Sequence, residues 1–377
     1  MNHSRLFAAV VLVAASCAAC GDASRETTTV RIGVTASANE PRVALTETVV
    51  DRLAEAVDQG VTRVVVYRQG EDSGGAYSDD DFTVRDGNEV QGDAALRELG
   101  FEENLNRLTG KLSQLGGDSD DLDPLSVLAD MASAAGPAVL VLQTSGLQTT
   151  EPLDLTRLGL DFDVRAVVAS VPDDAVPELT GKDVIFSGLG QVSGDQRPLP
   201  PGARDALVEL WLGICAKFGA NSCTLDPEPV PGGASIGRGE VPTVDIGEVV
   251  HDDASVHLPN SVLFKAGSDE LAAGGREVLA EVAKKFDART TARVVARTAS
   301  GWSSAEAAVN LTQRRGQRVV STLVELGVSR AAFTEVVGAG FARPLAPDLD
   351  GYGDLIADAA ARNRSVVVEL ADPKTSS

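Results

Sequence analysis

Between Pro227 and Val250 the chain can form neither a long helix nor a fully paired strand. Pro227, Pro229, Pro231 and Pro242 lack the backbone donor, while Gly232-Gly233, Gly237 and Gly239 impose no dihedral of their own. No single sheet or bundle can be threaded through such a stretch, so the fold must be built separately on either side of it. We read residues 227–255 as a semi-flexible Pro/Gly-rich linker between two domains, 28–226 and 256–372. With 377 residues, 43% of them hydrophobic, there is enough chain for two cores.

In the first part, strands and helices alternate. Val30 to Val34 is an apolar strand, Val43 to Val57 a one-sided helix, and Thr62 to Tyr67 a β-branched strand. Phe82 to Val90 reads as a hairpin around Asp86-Gly87, Leu96 to Leu115 as a helix broken at Gly110, and Leu125 to Ala135 as a further helix. Ala138 to Leu142 and Val184 to Phe186 are continuous apolar runs, the pattern of strands buried on both faces. Pro201 opens a helix running to Phe218 at a position where its missing donor costs nothing. Repeated β-α units imply a doubly wound, three-layer α/β domain.

In the second part the expected elements are a strand from His257 to Phe264, then a helix through Leu271, Val278, Leu279, Val282 and Phe286 capped by Ser268. A strand from Ala292 to Ala296 leads into a long helix, Ser304 to Gly327, with Ser303 and Glu306 as a capping box. Val309, Val319, Val320, Leu323 and Leu326 form its apolar face, and strands follow at Phe333 to Val337 and Ser365 to Leu370. The order βαβαββ describes a small α/β sandwich with its helices on one face.

Val262-Leu263-Phe264, Gly267 to Leu271, Leu311-Thr312-x-x-Arg315, Gly338-x-Gly340 and Asn363-Arg364 occur in the order of the OmpA-like C-terminal domain, and this third of the chain resembles that family. The resemblance implies a domain that grips peptidoglycan by the diaminopimelate of its stem peptide, with a guanidinium for the carboxylate and an aspartate for the ammonium. The family's arginine falls on Arg315. Thr298, Ser300, Asn363 and Arg364 complete the candidate site. The family's Thr-Asp motif, however, lands on Ala299-Ser300, so the expected ammonium partner is absent. The positions often Asp, Asn and Arg in the family are Lys265, Ala308 and Ser365. Two readings of Arg315 stay open, a carboxylate clamp and a solvated helix arginine.

The layout of 28–226 looks like a von Willebrand factor A-like domain. In that family an Asp-x-Ser-x-Ser motif after the first strand holds a divalent metal, whereas here Val34 is followed by Thr35-Ala36-Ser37-Ala38-Asn39, without a carboxylate. We expect no metal, and a protein-binding surface made by the strand-end loops Thr35 to Asn39, Gln143 to Leu147 and Ser187 to Gly194.

Enzyme signatures are missing. His251 and His257 lie beside the linker, so Ser145 and Ser187 have no imidazole base and zinc has no histidine cluster. Gly188-x-Gly190-x-x-x-Gly194 is followed by Arg197-Pro198 rather than by a helix, and Asp118, Asp120, Asp121 and Asp123 do not keep calcium-loop spacing. Trp302 could stack on a sugar or cap a core. No cofactor is implied.

At the start of the chain, His3 and Arg5 precede a short apolar run, Leu6 to Ala19, ending in small residues and cysteine: a lipoprotein signal peptide, 1–20. Cys20 is the expected lipidation site, with Cys17 the alternative. Cleavage before Cys20 leaves Cys215 and Cys223 to pair after export. A formal net charge of −22 excludes nucleic acid as a partner. Residue usage suggests a G+C-rich, actinobacterial source. The sequence thus describes a non-enzymatic envelope protein, exported and lipid-anchored on the extracytoplasmic face of the membrane. Its C-terminal domain is expected to hold peptidoglycan and its N-terminal domain an envelope protein. The alternative is a scaffold whose OmpA-like domain binds protein instead.

Overall fold

A computed structural model describes residues 27–70, 75–252, 254–301 and 304–371. Cys17, Cys20, the signal segment, Trp302 and Ser303 lie outside the described residues.

The first sheet is built from β1 (Thr28–Val34), β2 (Thr62–Arg68), β3 (Ser78–Asp81), β6 (Ala138–Gln143), β7 (Lys182–Ser187) and β8 (Ser222–Leu225); a separate hairpin, β4 (Arg85–Asp86) and β5 (Glu89–Val90), turns at Gly87. Its order is β3-β2-β1-β6-β7-β8, parallel throughout except for the edge strand β3. Strands apolar on both faces require helices on both faces. α1 (Glu47–Gln59) and α2 (Ala94–Leu112) cover Val30, Ile32, Val64 and Val66; α3 (Pro124–Ser133), α5 (Val164–Ser170) and α6 (Pro201–Lys217) cover Tyr67, Leu140, Val184 and Phe186, and a one-turn α4 (Leu155–Leu158) precedes α5. The three layers expected from the alternation are present. α2 runs through Gly110 without the expected break, because burial of Leu108 and Leu112 on either side outweighs the ~1 kcal/mol that an interior glycine costs. Cys215 and Cys223 form a disulfide joining the last turn of α6 to β8.

The Pro/Gly-rich stretch is a strap rather than a free spacer. It lies along the carboxyl ends of the first sheet's strands. Arg42 N donates to Gly233 O (3.1 Å), Asn39 Nδ2 to Val241 O (3.0 Å), Ser235 Oγ to Ser37 O (2.8 Å), and Gln196 both receives from and donates to Val244. Val241, Val244 and Ile246 are buried. The glycines permit close approach: a Cβ on Gly239 would stand 1.7 Å from Ser119 O, and one on Gly232 1.7 Å from Arg42 O. The strap explains why the loops 35–39, 143–147 and 187–194 are largely buried instead of forming the exposed binding rim expected of them.

The second sheet has the order β12-β11-β13-β10-β9, formed by β9 (Val250–His251), β10 (Ser255–Pro259), β11 (Thr291–Arg297), β12 (Phe333–Gly340) and β13 (Ser365–Ala371). β11 and β12 are parallel, the other pairs antiparallel. α8 (Gly275–Ala283) and α9 (Ala305–Glu325) pack against the sheet around Leu279, Val282, Val319, Val320 and Leu323. α10 (Ala357–Asn363) precedes β13.

Three expectations fail locally. The strand expected to reach Phe264 ends at Pro259, and Asn260–Leu263 form a helical turn, α7; a short apolar run does not distinguish the two. The helix expected to be capped by Ser268 starts only after Gly274, whose φ of +86° suits glycine, while Leu271 bridges to Phe264. Ser304 caps α9 by accepting from Ala307 N, and Val309, expected on the apolar face, is 39% exposed at its margin.

Candidate carboxylate-binding site

α9 turns Arg315 toward the sheet and away from solvent. Gly316 lets the helix approach closely, since a Cβ there would stand 2.9 Å from Val336, and Thr312 donates back to Ala308 O (2.8 Å). The Arg315 side chain is fully buried, its guanidinium 5.0 Å from the Phe264 ring centroid and its Nε donating to Ser268 O (2.8 Å). A buried guanidinium needs an anion. That anion is Asp161, from the segment between α4 and α5 of the first half: Nη1 donates to Oδ2 (2.7 Å) and Nη2 to Oδ1 (2.6 Å). Asn260 Nδ2 adds a third donor to Asp161 Oδ2 (3.0 Å) and also reaches Arg297 O (3.0 Å). Arg315 is therefore not a solvated helix arginine; it is the buried partner of Asp161, a carboxylate of the same chain.

Burial alone would raise the Asp161 carboxyl, but the charge of Arg315 and the hydrogen bonds from Arg315 and Asn260 outweigh it and hold it below the ordinary 3.8. A depressed carboxylate contributes its full stability above that ordinary value and loses it as pH falls through the lower folded-state value.

The other candidate residues divide. Arg364 is buried beside the pair, donates to Arg157 O (3.0 Å) and packs on Gly159, where a Cβ would meet its Nη1 at 2.7 Å. Burial lowers it to about 10, offset in part by Asp161 and Asp348. Asn363 does not face the pair: its Oδ1 accepts from Leu345 N (2.7 Å) and Ala346 N (3.1 Å), and its Nδ2 donates to Ala346 O, fixing the loop before α10. Thr298 is fully buried, and its Oγ1, like Asn260 Oδ1 and Arg297 Nη1, has no hydrogen-bond partner.

Ser300 is not left without a carboxylate. Its N and Oγ both donate to Asp348 (2.8 Å each), a buried residue held below its ordinary value against desolvation by hydrogen bonds from Ser300 and Asn363. The loop after β12 thus holds a carboxylate against Ser300. Lys265, by contrast, pairs with Glu270 at the surface.

Residues 263–351 match the OmpA family. This segment is an OmpA-like domain. No curated protein matches the chain. Among solved structures, the OmpA-like part is similar to the periplasmic domain of Helicobacter pylori MotB (residues 78–256; 20% identity over 33% of this chain and 81% of that one, TM-score 0.27). It is also similar to the peptidoglycan-associated lipoprotein from Burkholderia pseudomallei (22% identity, 32% and 91%, TM-score 0.24) and to the cell wall anchor of the T6SS from Pseudomonas aeruginosa (20% identity, 33% and 87%, TM-score 0.27).

Outside the OmpA-like domain, the strand-end position that lacked a carboxylate in the sequence is filled by Glu40. It accepts from Thr35 Oγ1 (2.5 Å), Ser37 N (3.0 Å), Thr144 Oγ1 (2.8 Å) and Ser145 N (2.5 Å). Both oxygens are engaged by donors, and no group of residues suited to hold a metal ion occurs among the described residues. Ser187 Oγ donates to Asp226 Oδ2 (2.9 Å), which Thr46 Oγ1 also reaches (2.6 Å). Asp123 of the acidic loop caps α3, and burial raises its carboxyl. Among the described residues no helix is long and apolar enough to cross a membrane.

Sequence reasoning missed Asp161, Asn260, Asp348 and Glu40. Asp161 carried a readable signal, since an acid between Leu160 and Phe162 must find a partner if its neighbours are buried, as both are. The partner itself was not readable, because it lies 154 residues away.

Proposed function

We propose that the OmpA-like domain binds peptidoglycan noncovalently, with Arg315 receiving a carboxylate of the diaminopimelate stem peptide. The observation that carries this reading is the planar, two-point grip of a fully buried Arg315 on a carboxylate, a geometry selective for that group. The match of residues 263–351 to the OmpA family supports it. Residues 28–226 and 256–372 are taken as two domains, the first presenting a protein-interaction surface other than the strand-end loops buried under the strap, in a non-catalytic envelope protein anchored through lipid on Cys20. Mass spectrometry of the mature N-terminus should find a diacylated Cys20; an unmodified residue or a modified Cys17 would overturn that part.

The wall-binding part is tested by co-sedimentation of the full mature chain with purified diaminopimelate-type peptidoglycan. Arg315→Met combined with Asp161→Asn removes both charges together, so that neither is stranded in the interior. The double variant should bind more than tenfold more weakly than Asp161→Asn alone, about 1.4 kcal/mol or more. Equal binding would show that Arg315 takes no part. A second reading, an OmpA-like domain that docks protein, is favoured by the protein origin of the carboxylate that Arg315 holds; wall binding by neither chain would select it.

A further inference from the structure

We propose that Asp161 is a built-in occupant of the Arg315 site, so that the chain is self-occluded and an external carboxylate binds only when the first half, in whose core Leu160 and Phe162 are packed, carries the segment 159–163 away. The inference rests on the carboxylate-binding reading above.

Asp161 uses both terminal nitrogens of Arg315, and its carboxylate is 2% exposed. An external carboxylate cannot share that grip and must displace it. The occupant also fits the site incompletely. Asn260 Oδ1 and Thr298 Oγ1 are buried without a partner although Arg315 is satisfied. Buried polar atoms are ordinarily paired, so this polar surround suits a larger ligand with further donors and acceptors better than one side chain. A cleft lined by Leu158, Asp161, Ser300, Gly301, Leu355 and Arg364 lies directly beside the pair.

The segment bearing Asp161 is built to sit on the domain, not to merge with it. Gly159, at φ +62°, lies flat on Arg364, and Phe162 O approaches Gly267 closely enough that a Cβ there would stand 3.2 Å away. These contacts are polar or backbone contacts, which exchange with water at less cost than an apolar seam does. A covalently linked occupant competes at an effective concentration in the millimolar range, and external affinity falls by the fraction of molecules in which the site is open.

The test uses the full mature chain, with purified diaminopimelate-type peptidoglycan and free meso-diaminopimelate as separate probes. Asp161→Asn should bind on the order of tenfold or more tightly than wild type. Because that change leaves Arg315 charged in the interior and could unfold the chain, Gly159→Val is the companion. Its side chain pushes the segment off Arg364 and alters no charge, and it should shift affinity in the same direction. Equal, Arg315-dependent binding by wild type and both variants overturns occlusion and leaves the wall reading intact. If no chain binds peptidoglycan but the two variants alone take up meso-diaminopimelate, occlusion stands and the wall reading falls. If neither probe binds any chain, both fall.

Discussion

At the scale of single residues, the site is decided by which carboxylate meets which cation. Ser300 was read as the place where an acid had been lost, and from sequence alone Ser300→Asp would restore an ammonium partner. Asp348 overturns that expectation, because its carboxylate already stands 2.8 Å from both Ser300 N and Oγ. An aspartate at 300 would face a second buried anion. Ser300→Asp should destabilise the chain by about 2 kcal/mol at pH 7, in thermal or denaturant unfolding, with no gain in wall binding. The loss should shrink below pH 4, where one of the two acids is protonated; undiminished stability at pH 7 would mean that the loop carrying Asp348 moves aside. Arg315 itself was legible because a motif fixes its place. The partners of Asp161, Asp348 and Asn260 were not, since pairing across 154, 48 and 99 residues leaves no local pattern.

At the scale of elements, periodicity served well wherever one face of a long segment is buried. α1, α6, α9 and the strands β1, β2, β6, β7 and β11 lie within a few residues of their expected places, because each buries a continuous apolar stripe. It failed where a segment is short or where glycine has two meanings. Asn260–Leu263 is too short to declare a period, and Gly274-Gly275 begins a helix instead of lying inside one. The 227–248 strap is the larger case: proline and glycine were read as looseness, but the glycines are places where two backbones touch. Gly239→Ala should therefore destabilise the first half by on the order of 2 kcal/mol or more in chemical denaturation, because its Cβ meets a carbonyl oxygen and not a yielding side chain. A truly flexible linker would tolerate alanine or gain slightly from it.

At the scale of the molecule, the strap joins the two halves through very little chain. Ile246 is packed in the core of the first half, while Val250 already pairs with His257 in the second sheet. Only residues 247–249 lie between, with Gly247 at φ +69° and Arg197 paired to Asp245 and Glu248 on the near side. Three residues reach no more than about 10 Å when fully extended. Small-angle scattering of Gly159→Val should accordingly show the radius of gyration rising by less than about 10 Å over wild type; a larger expansion would mean that the strap peels off as well. A molecule hinged this tightly opens like a jaw and does not pay out like a rope. Parting the Asp161–Arg315 pair would then turn the two halves about residues 247–249 without lengthening the path of chain between them.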